Sequence, residues 1–164
     1  MLINKSLQIG VFPDSLKIAK VIPVYRVKAK ENLSNYRPIS LLPAVSKIHE
    51  KIVHKRLCFF LELHDLLYDN QFGFRHKHST EDTVTNLITD TYKALHENEA
   101  TLIIYLDLSK AFDTIDHSIL LKRLSSYLYN RKKTVHYMGS NSHVETINCG
   151  VPWGSVLGLL LFIL

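Results

Sequence analysis

The sequence has little cysteine: Cys58 and Cys149 are the two in 164 residues. They form neither a CxxC pair nor a disulfide framework, which points to a reducing compartment. The first twelve residues lack the apolar core of a signal peptide. The apolar end, residues 156–164, is far shorter than the ~18–20 residues that cross a bilayer. With no repeat and no linker rich in proline and glycine, the sequence predicts one globular domain without a membrane partner.

Acidic residues are scarce in two basic stretches. Residues 17–37 hold six Lys and Arg against Glu31 alone, and residues 117–144 contain no acid. The net charge is +5. Such patches indicate either a polyanion partner or two solvated faces. A hydrophobic content of 46% with 21% charged residues excludes a disordered chain.

Apolar periodicity predicts two long helices. The first covers 44–63, with a basic face that either touches nucleic acid or is solvated. The second covers 80–97, and Ser79 with Asp82 gives it a capping start. Residues predicted to face inward are Val45, Ile48, Ile52, Leu57, Phe60 and Leu61 in the first helix, and Val84, Leu87, Ile88, Thr91, Tyr92 and Leu95 in the second.

The remaining elements mix strands and helices without βα alternation. Residues 21–26 predict a strand that Pro23 restricts to a sheet edge. Asp116 or Ser118 can cap a helix that runs to about 129. A β-hairpin is predicted over 133–138 and 144–149, followed by a turn at 150–155 and a buried helix from Val156. This order predicts the α+β class.

Asp107 directly follows an apolar run, residues 102–106. A run that is apolar on both faces predicts a buried central strand over 101–108. A carboxylate there is expensive unless it is paired, hydrogen-bonded or metal-bound. Asp107 is therefore either a Mg²⁺ ligand, a strand-end cap or the partner of Lys110.

Five blocks resemble the reverse transcriptases of non-LTR retrotransposons, in that family's order. They are Phe12-Pro13-Asp14 through Lys20-Val21-Ile22-Pro23, Asn35-Tyr36-Arg37-Pro38-Ile39-Ser40-Leu41-Leu42, Gln71-Phe72-Gly73-Phe74-Arg75 with Ser79-Thr80, Tyr105-Leu106-Asp107-Leu108-Ser109-Lys110-Ala111-Phe112-Asp113, and Gly150-Val151-Pro152 with Gly154-Ser155-Val156-Leu157-Gly158. The resemblance implies RNA-templated DNA synthesis with Mg²⁺. It implies a right-hand polymerase with fingers over 11–100, a partial palm over 101–164, an N-terminal extension over 1–10 and an incomplete antiparallel sheet.

The resemblance also assigns roles to residues. Asp107 and the Leu108 carbonyl would lie at the metal, and Phe112 would be the aromatic gate that crowds a 2′-hydroxyl. Arg37, Lys28 and Lys30 would contact the triphosphate, because a guanidinium fork suits phosphate. Arg75 is a weaker template or phosphate candidate. Gly150, Pro152, Trp153, Gly154 and Ser155 would form the turn beside the nucleotide. Phe112 is alternatively an ordinary core residue.

Two departures from the family pattern shape the functional expectation. Trp153 stands where the family has Gln, so an indole would fill the nucleotide pocket. The sequence reaches Leu164 before the family's Asp-Asp strand and thumb, and we therefore expect no polymerase activity. Three descriptions compete: an inactive reverse transcriptase fragment, a non-catalytic RNA or RNA–DNA binding module, and an aggregating product without function.

Overall fold

A computed structural model of the chain describes residues 2–26, 30–108, 111–113 and 122–164, with the side chains of Lys122 and Arg123 left aside. Lys28 and the predicted helix caps Asp116 and Ser118 lie outside these residues. The elements in chain order are α1 (Leu2–Ile9), β1 (Ile18–Tyr25), β2 (Tyr36–Leu41), α2 (Ala44–Leu63), α3 (Thr80–His96), α4 (Lys122–Leu128), β3 (Arg131–Tyr137), β4 (Ser140–Asn141), β5 (Glu145–Ile147) and α5 (Val156–Ile163). The α+β class is confirmed at this level.

The sheet is mixed, so the predicted antiparallel sheet is wrong. Strand β1 pairs antiparallel with β2 and parallel with β3, from Ile18 opposite Lys132 to Val21 opposite Val135. Parallel pairing needs a long crossover, and the chain between β1 and β3 provides one. Strand β3 also pairs with β4 and β5, which confirms the predicted hairpin.

The prediction that Pro23 restricts β1 to the edge of the sheet is wrong. Strand β1 lies between β2 and β3. The parallel ladder with β3 ends at Val21, however, whereas Pro23 is paired with Pro38 of β2. The proline therefore costs no ladder bond on the β3 side, because β3 does not extend that far.

The principal core joins the N-terminal segment to α4 and α5. It contains Phe12, Leu16, Leu124, Tyr127, Leu128, Val151, Leu157 and Leu161. The predicted buried helix at the end of the sequence is confirmed, since Leu157, Gly158, Leu160 and Leu161 of α5 are buried. No helix within the described ranges is both long and apolar enough to cross a membrane.

Helix α2 has the predicted bounds but buries a different face. Val45, Ile48 and Phe60, predicted to face inward, are 41%, 52% and 50% exposed. The buried residues are Ser46, His49 and Glu50, which were not predicted, together with Leu61, which was. Polar side chains are tolerated there because they are hydrogen-bonded, and an apolar stripe could not reveal them.

Helix α3 begins at the predicted cap. The Ser79 side chain accepts from the Asp82 backbone N–H, and the Asp82 carboxylate accepts from the Ser79 N–H at 2.7 Å. None of its residues is buried, although the apolar spacing predicted an inward stripe. The helix is thus specified by its local sequence and cap rather than by packing.

Residues 101–108 do not form the predicted buried strand. They carry no regular secondary structure, and Leu102, Tyr105 and Leu106 are more than 80% exposed. A strand requires a neighbour for its backbone hydrogen bonds. Strands β1–β5 pair only with one another within the described residues, so this segment has no ladder to join.

Candidate functional site

The turn at residues 150–155 connects three separate parts of the chain. The Ser40 N–H in β2 donates to the Trp153 carbonyl at 2.9 Å. The Val151 N–H donates to the Phe112 carbonyl, also at 2.9 Å. On its far side the turn leads directly into α5. The structure therefore brings together the predicted turn, the predicted gate residue and the strand that carries Arg37.

Gly150 allows the turn to approach the short 3-10 helix at Ala111–Asp113. Its φ is +76°, which favours glycine. A Cβ built on Gly150 would lie 2.8 Å from the Asp113 Cα and 2.8 Å from the Phe112 carbonyl oxygen. Gly154 has φ of +95° and lies against the Ser40 carbonyl, where a Cβ would come within 3.1 Å. Both glycines are required for this close backbone contact.

Phe112, Trp153 and Phe162 form an aromatic cluster beside the turn. The Phe112 and Trp153 rings meet edge to face, with centroids 5.3 Å apart. The Phe112 and Phe162 centroids are 5.0 Å apart. Phe112 and Trp153 are both half-buried. The Phe112 ring is therefore packed against two aromatic neighbours and still partly accessible, and its role as a gate stays a prediction.

Glu50 of α2 caps the helix that follows the turn. It is fully buried, and its Oε2 accepts from the Val156 N–H at 2.7 Å and the Leu157 N–H at 3.4 Å. The Ser155 hydroxyl accepts from the Gly158 N–H at 3.1 Å. Sequence reasoning missed Glu50, and its spacing from Ser46, Val53 and Leu57 on one helical face was the available signal.

Four other predicted site residues are exposed. Asp107 and Leu108 belong to the exposed segment 101–108. Arg37 is exposed on β2 opposite Val24. Lys30 is exposed with its Nζ 5.9 Å from the Tyr25 ring centroid, while its carbonyl accepts from the Tyr36 hydroxyl.

Arg75 is held by an acid rather than left open for a ligand. Its Nε and Nη2 donate to the two carboxylate oxygens of Glu62, at 3.1 and 3.2 Å, and its Nη1 donates to the Tyr68 carbonyl. The Arg75 guanidinium keeps the pKa of Glu62 below its ordinary value. This bidentate arrangement closes the loop between α2 and α3.

Comparison with known proteins assigns most of the chain to one family. Residues 28–164 match the family described as reverse transcriptase (RNA-dependent DNA polymerase). The chain belongs to this family. It is 33% identical over 175 residues to a probable RNA-directed DNA polymerase from transposon BS of Drosophila melanogaster, across 99% of this chain and 19% of that protein. The RNA-directed DNA polymerase from mobile element jockey of the same species matches with the same identity and coverage.

A third relative extends the likeness to another element. The Pol polyprotein from type-1 retrotransposable element R2 of Popillia japonica is 33% identical over 118 residues, 71% of this chain and 16% of that protein. These relatives confirm the resemblance to non-LTR retrotransposon reverse transcriptases. The chain spans about a fifth of the length of the transposon BS and jockey proteins.

Reverse transcriptases generally use divalent metal ions, and the described residues can be tested for such a site. Mg²⁺ prefers several oxygen ligands in near-octahedral geometry. Asp107 supplies one carboxylate on an exposed segment. Across the described ranges, no three His, Cys, Asp or Glu side chains are grouped closely enough to hold a metal ion. Asp107 therefore belongs to no such group within the described ranges, and the metal-binding role of Asp107 and the Leu108 carbonyl stays a prediction.

Proposed function

We propose that this chain forms the nucleotide-facing part of an RNA-directed DNA polymerase. Residues 11–100 would serve as fingers, residues 101–164 as the first part of the palm and residues 1–10 as an N-terminal extension. The observation that carries the proposal is the contact of the 150–155 turn with both Ser40 and Phe112. Three sequence blocks that match the family are thereby in direct contact, although they are separated by about 40 to 110 residues.

In this proposal Phe112 discriminates between sugars. Its half-buried ring packs against the rings of Trp153 and Phe162. A ring that is held in place by packing would exclude a ribonucleotide, because its 2′-oxygen would overlap sterically with the ring. Arg37 and Lys30 are exposed cations suited to triphosphate oxygens. Lys28, outside the described residues, keeps the same proposed role.

Trp153 is proposed to occupy space that the family gives to a glutamine. Its indole adds aromatic area against Phe112 but removes an amide that can hydrogen-bond. Deoxynucleotide binding should therefore be weaker here than in a protein with Gln at this position. RNA template and DNA primer are the proposed partners of the basic surface.

We propose that the 164-residue chain on its own does not synthesise DNA. Asp107 is exposed, and within the described residues it belongs to no group of three side chains that could hold a metal ion. Most barrier lowering in phosphoryl transfer comes from positioning and metal charge, which supports this proposal. The test is primer extension on poly-rA with Mg²⁺, run beside an Asp107→Asn variant. We expect no incorporation by either protein. Incorporation that Asp107→Asn abolishes would refute this proposal.

The second candidate is a non-catalytic RNA or RNA–DNA binding module. Strand register favours it, because Lys20, Arg37 and Lys132 occupy the same face of the sheet. Lys20 and Arg37 are exposed and Lys132 is half-buried. Binding by such cations releases counterions, so log K should fall linearly with log salt, and Arg37→Ala should reduce the slope by about one. A salt-independent affinity would exclude this candidate.

A further inference from the structure

Helix α2 carries a buried carboxylate, that of Glu50, which contacts the start of α5 directly after the 150–155 turn. Glu50 has no exposed surface. Its Oε1 accepts from the Ser46 hydroxyl at 3.0 Å, and its Oε2 accepts from the Val156 N–H at 2.7 Å. An unpaired buried carboxylate is costly. These hydrogen bonds and the positive end of the α5 dipole offset that cost, and the bonds to Val156 and Leu157 require α5 to begin at Val156.

Helix α5 has no acid of its own to supply this charge. Its sequence is VLGLLLFI, and its first turn contains no acidic residue. The Ser155 hydroxyl satisfies one free backbone N–H, that of Gly158. Those of Val156 and Leu157 depend on Glu50, which comes from more than 100 residues earlier. The start of α5 is consequently held against α2 by hydrogen bonds from its backbone to the Glu50 side chain of α2.

The same position determines the geometry of the turn. Val156 directly follows the turn, and Trp153 lies three residues before it. The turn has two further attachments, Ser40 to Trp153 and Val151 to Phe112. Displacing the start of α5 would strain both of these hydrogen bonds, and would shift the Trp153 ring relative to the Phe112 ring.

We propose that Glu50 is a positioning residue for the 150–155 turn and the aromatic cluster beside it. It acts through the Val156 and Leu157 N–H groups and sets the placement of Trp153 against Phe112. The assignment of this surface to a nucleotide rests on the proposed function, whereas the control of Trp153 by Glu50 does not. The experiment therefore separates the two.

Trp153 is the only tryptophan, so its fluorescence reports the turn without labelling. Three variants of the full chain discriminate between charge and hydrogen bonding. Glu50→Ala leaves the Val156 N–H buried and unsatisfied. Glu50→Gln keeps an amide oxygen that accepts from the Val156 N–H; it removes the charge, and its amide N–H₂ requires the Ser46 hydroxyl to accept instead of donate. Glu62→Gln removes a carboxylate from the same helix, remote from the turn, as the matched control.

The first measurement is acrylamide quenching of Trp153 at matched far-UV circular dichroism. We expect Glu50→Ala to raise the quenching constant about twofold or more, Glu50→Gln to restore most of the wild-type value, and Glu62→Gln to change nothing. If the hydrogen bonds of Glu50 served stability alone, their loss would lower the unfolding midpoint and leave the quenching constant of the folded protein unchanged. Unchanged quenching in Glu50→Ala overturns the proposal. If Glu50→Ala does not fold, Glu50→Asp replaces it, because the shorter side chain withdraws the carboxylate from the Val156 N–H, and unchanged quenching there overturns the proposal equally.

The second measurement is titration with a deoxynucleoside triphosphate and Mg²⁺, followed by Trp153 emission. We expect Glu50→Ala to weaken binding about tenfold, the effect of one unsatisfied buried donor, and Glu50→Gln by less than about threefold. A wild-type protein that binds no nucleotide would refute the nucleotide pocket while leaving the quenching result to decide the role of Glu50. Equal affinities in wild type and Glu50→Ala would overturn the proposed link to binding.

Discussion

Replacing Gly150 by alanine tests the contact on which the proposed site depends. The positive φ of +76° costs a residue with a Cβ ~1–2 kcal/mol. The added Cβ would also lie 2.8 Å from the Phe112 carbonyl oxygen and from the Asp113 Cα, both backbone atoms. Overpacking of this kind adds about 1–3 kcal/mol. The free energy of unfolding should therefore fall by about 2–5 kcal/mol.

Gly139 offers a matched control for the backbone term. Its φ is +80°, and a Cβ there would meet nothing within 4 Å. Gly139→Ala should cost only the conformational part, about 1–2 kcal/mol. The excess cost at Gly150 is the energy of the close approach, about 1–3 kcal/mol by the overpacking estimate.

Urea unfolding followed by Trp153 emission and by far-UV circular dichroism measures both variants. With an m-value of about 2 kcal/mol per molar urea, the midpoint of Gly150→Ala should lie roughly 0.5–1.5 M below that of Gly139→Ala. Coincident curves from the two probes would support a two-state analysis. Equal midpoints for the two variants would show that the turn does not press against Phe112, and would remove the basis of the proposed site.

Three further predictions concern other elements. Burial holds the pKa of His49 below its ordinary 6.5, so its neutral form stabilises the fold fully above pH 6.5 and this contribution disappears as the pH falls through the lowered pKa. Thermal melts of His49→Gln should therefore lose less stability on acidification than wild type, whereas the exposed control His143→Gln should follow wild type. Ser79→Ala should cost about 1 kcal/mol of helix α3 stability by removing its capping box, seen as a loss of helical circular dichroism, and an unchanged spectrum would contradict the cap. Trp153→Gln should tighten deoxynucleotide binding in equilibrium dialysis while lowering stability by about 0.5–1.5 kcal/mol through the lost ring contact with Phe112; weaker binding would argue against a filled pocket.

Local signals in the sequence predicted several elements correctly. Helix α2 occupies 44–63 as predicted, and α3 begins after the Ser79 cap, because helical periodicity and capping act within a few residues. The hairpin around Gly139 was predictable for the same reason. The turn at 150–155 was predictable from its glycines and proline.

Features that depend on distant partners were not predictable from the pattern. The prediction of the buried face of α2 missed Glu50 and His49. Both are buried because their side chains are hydrogen-bonded to Val156 and Ser6, which lie far away in sequence. The strand predicted at 101–108 failed because an apolar run indicates a tendency to pair but does not supply the neighbour. The contact between Phe112 and Trp153 followed from neither composition nor periodicity, although the family blocks placed both residues near one site.

The parallel pairing of β1 with β3 also affects how the protein is made. Ile18 can pair with Lys132 only after more than a hundred further residues have been synthesised. At ~5–20 residues per second, a ribosome needs roughly 6–23 s to complete that interval. The β1–β2 hairpin can form early, but its second edge stays open throughout. Nascent chains should therefore be most vulnerable to protease and to mispairing in this window, and a pause introduced between the two strands should prolong it.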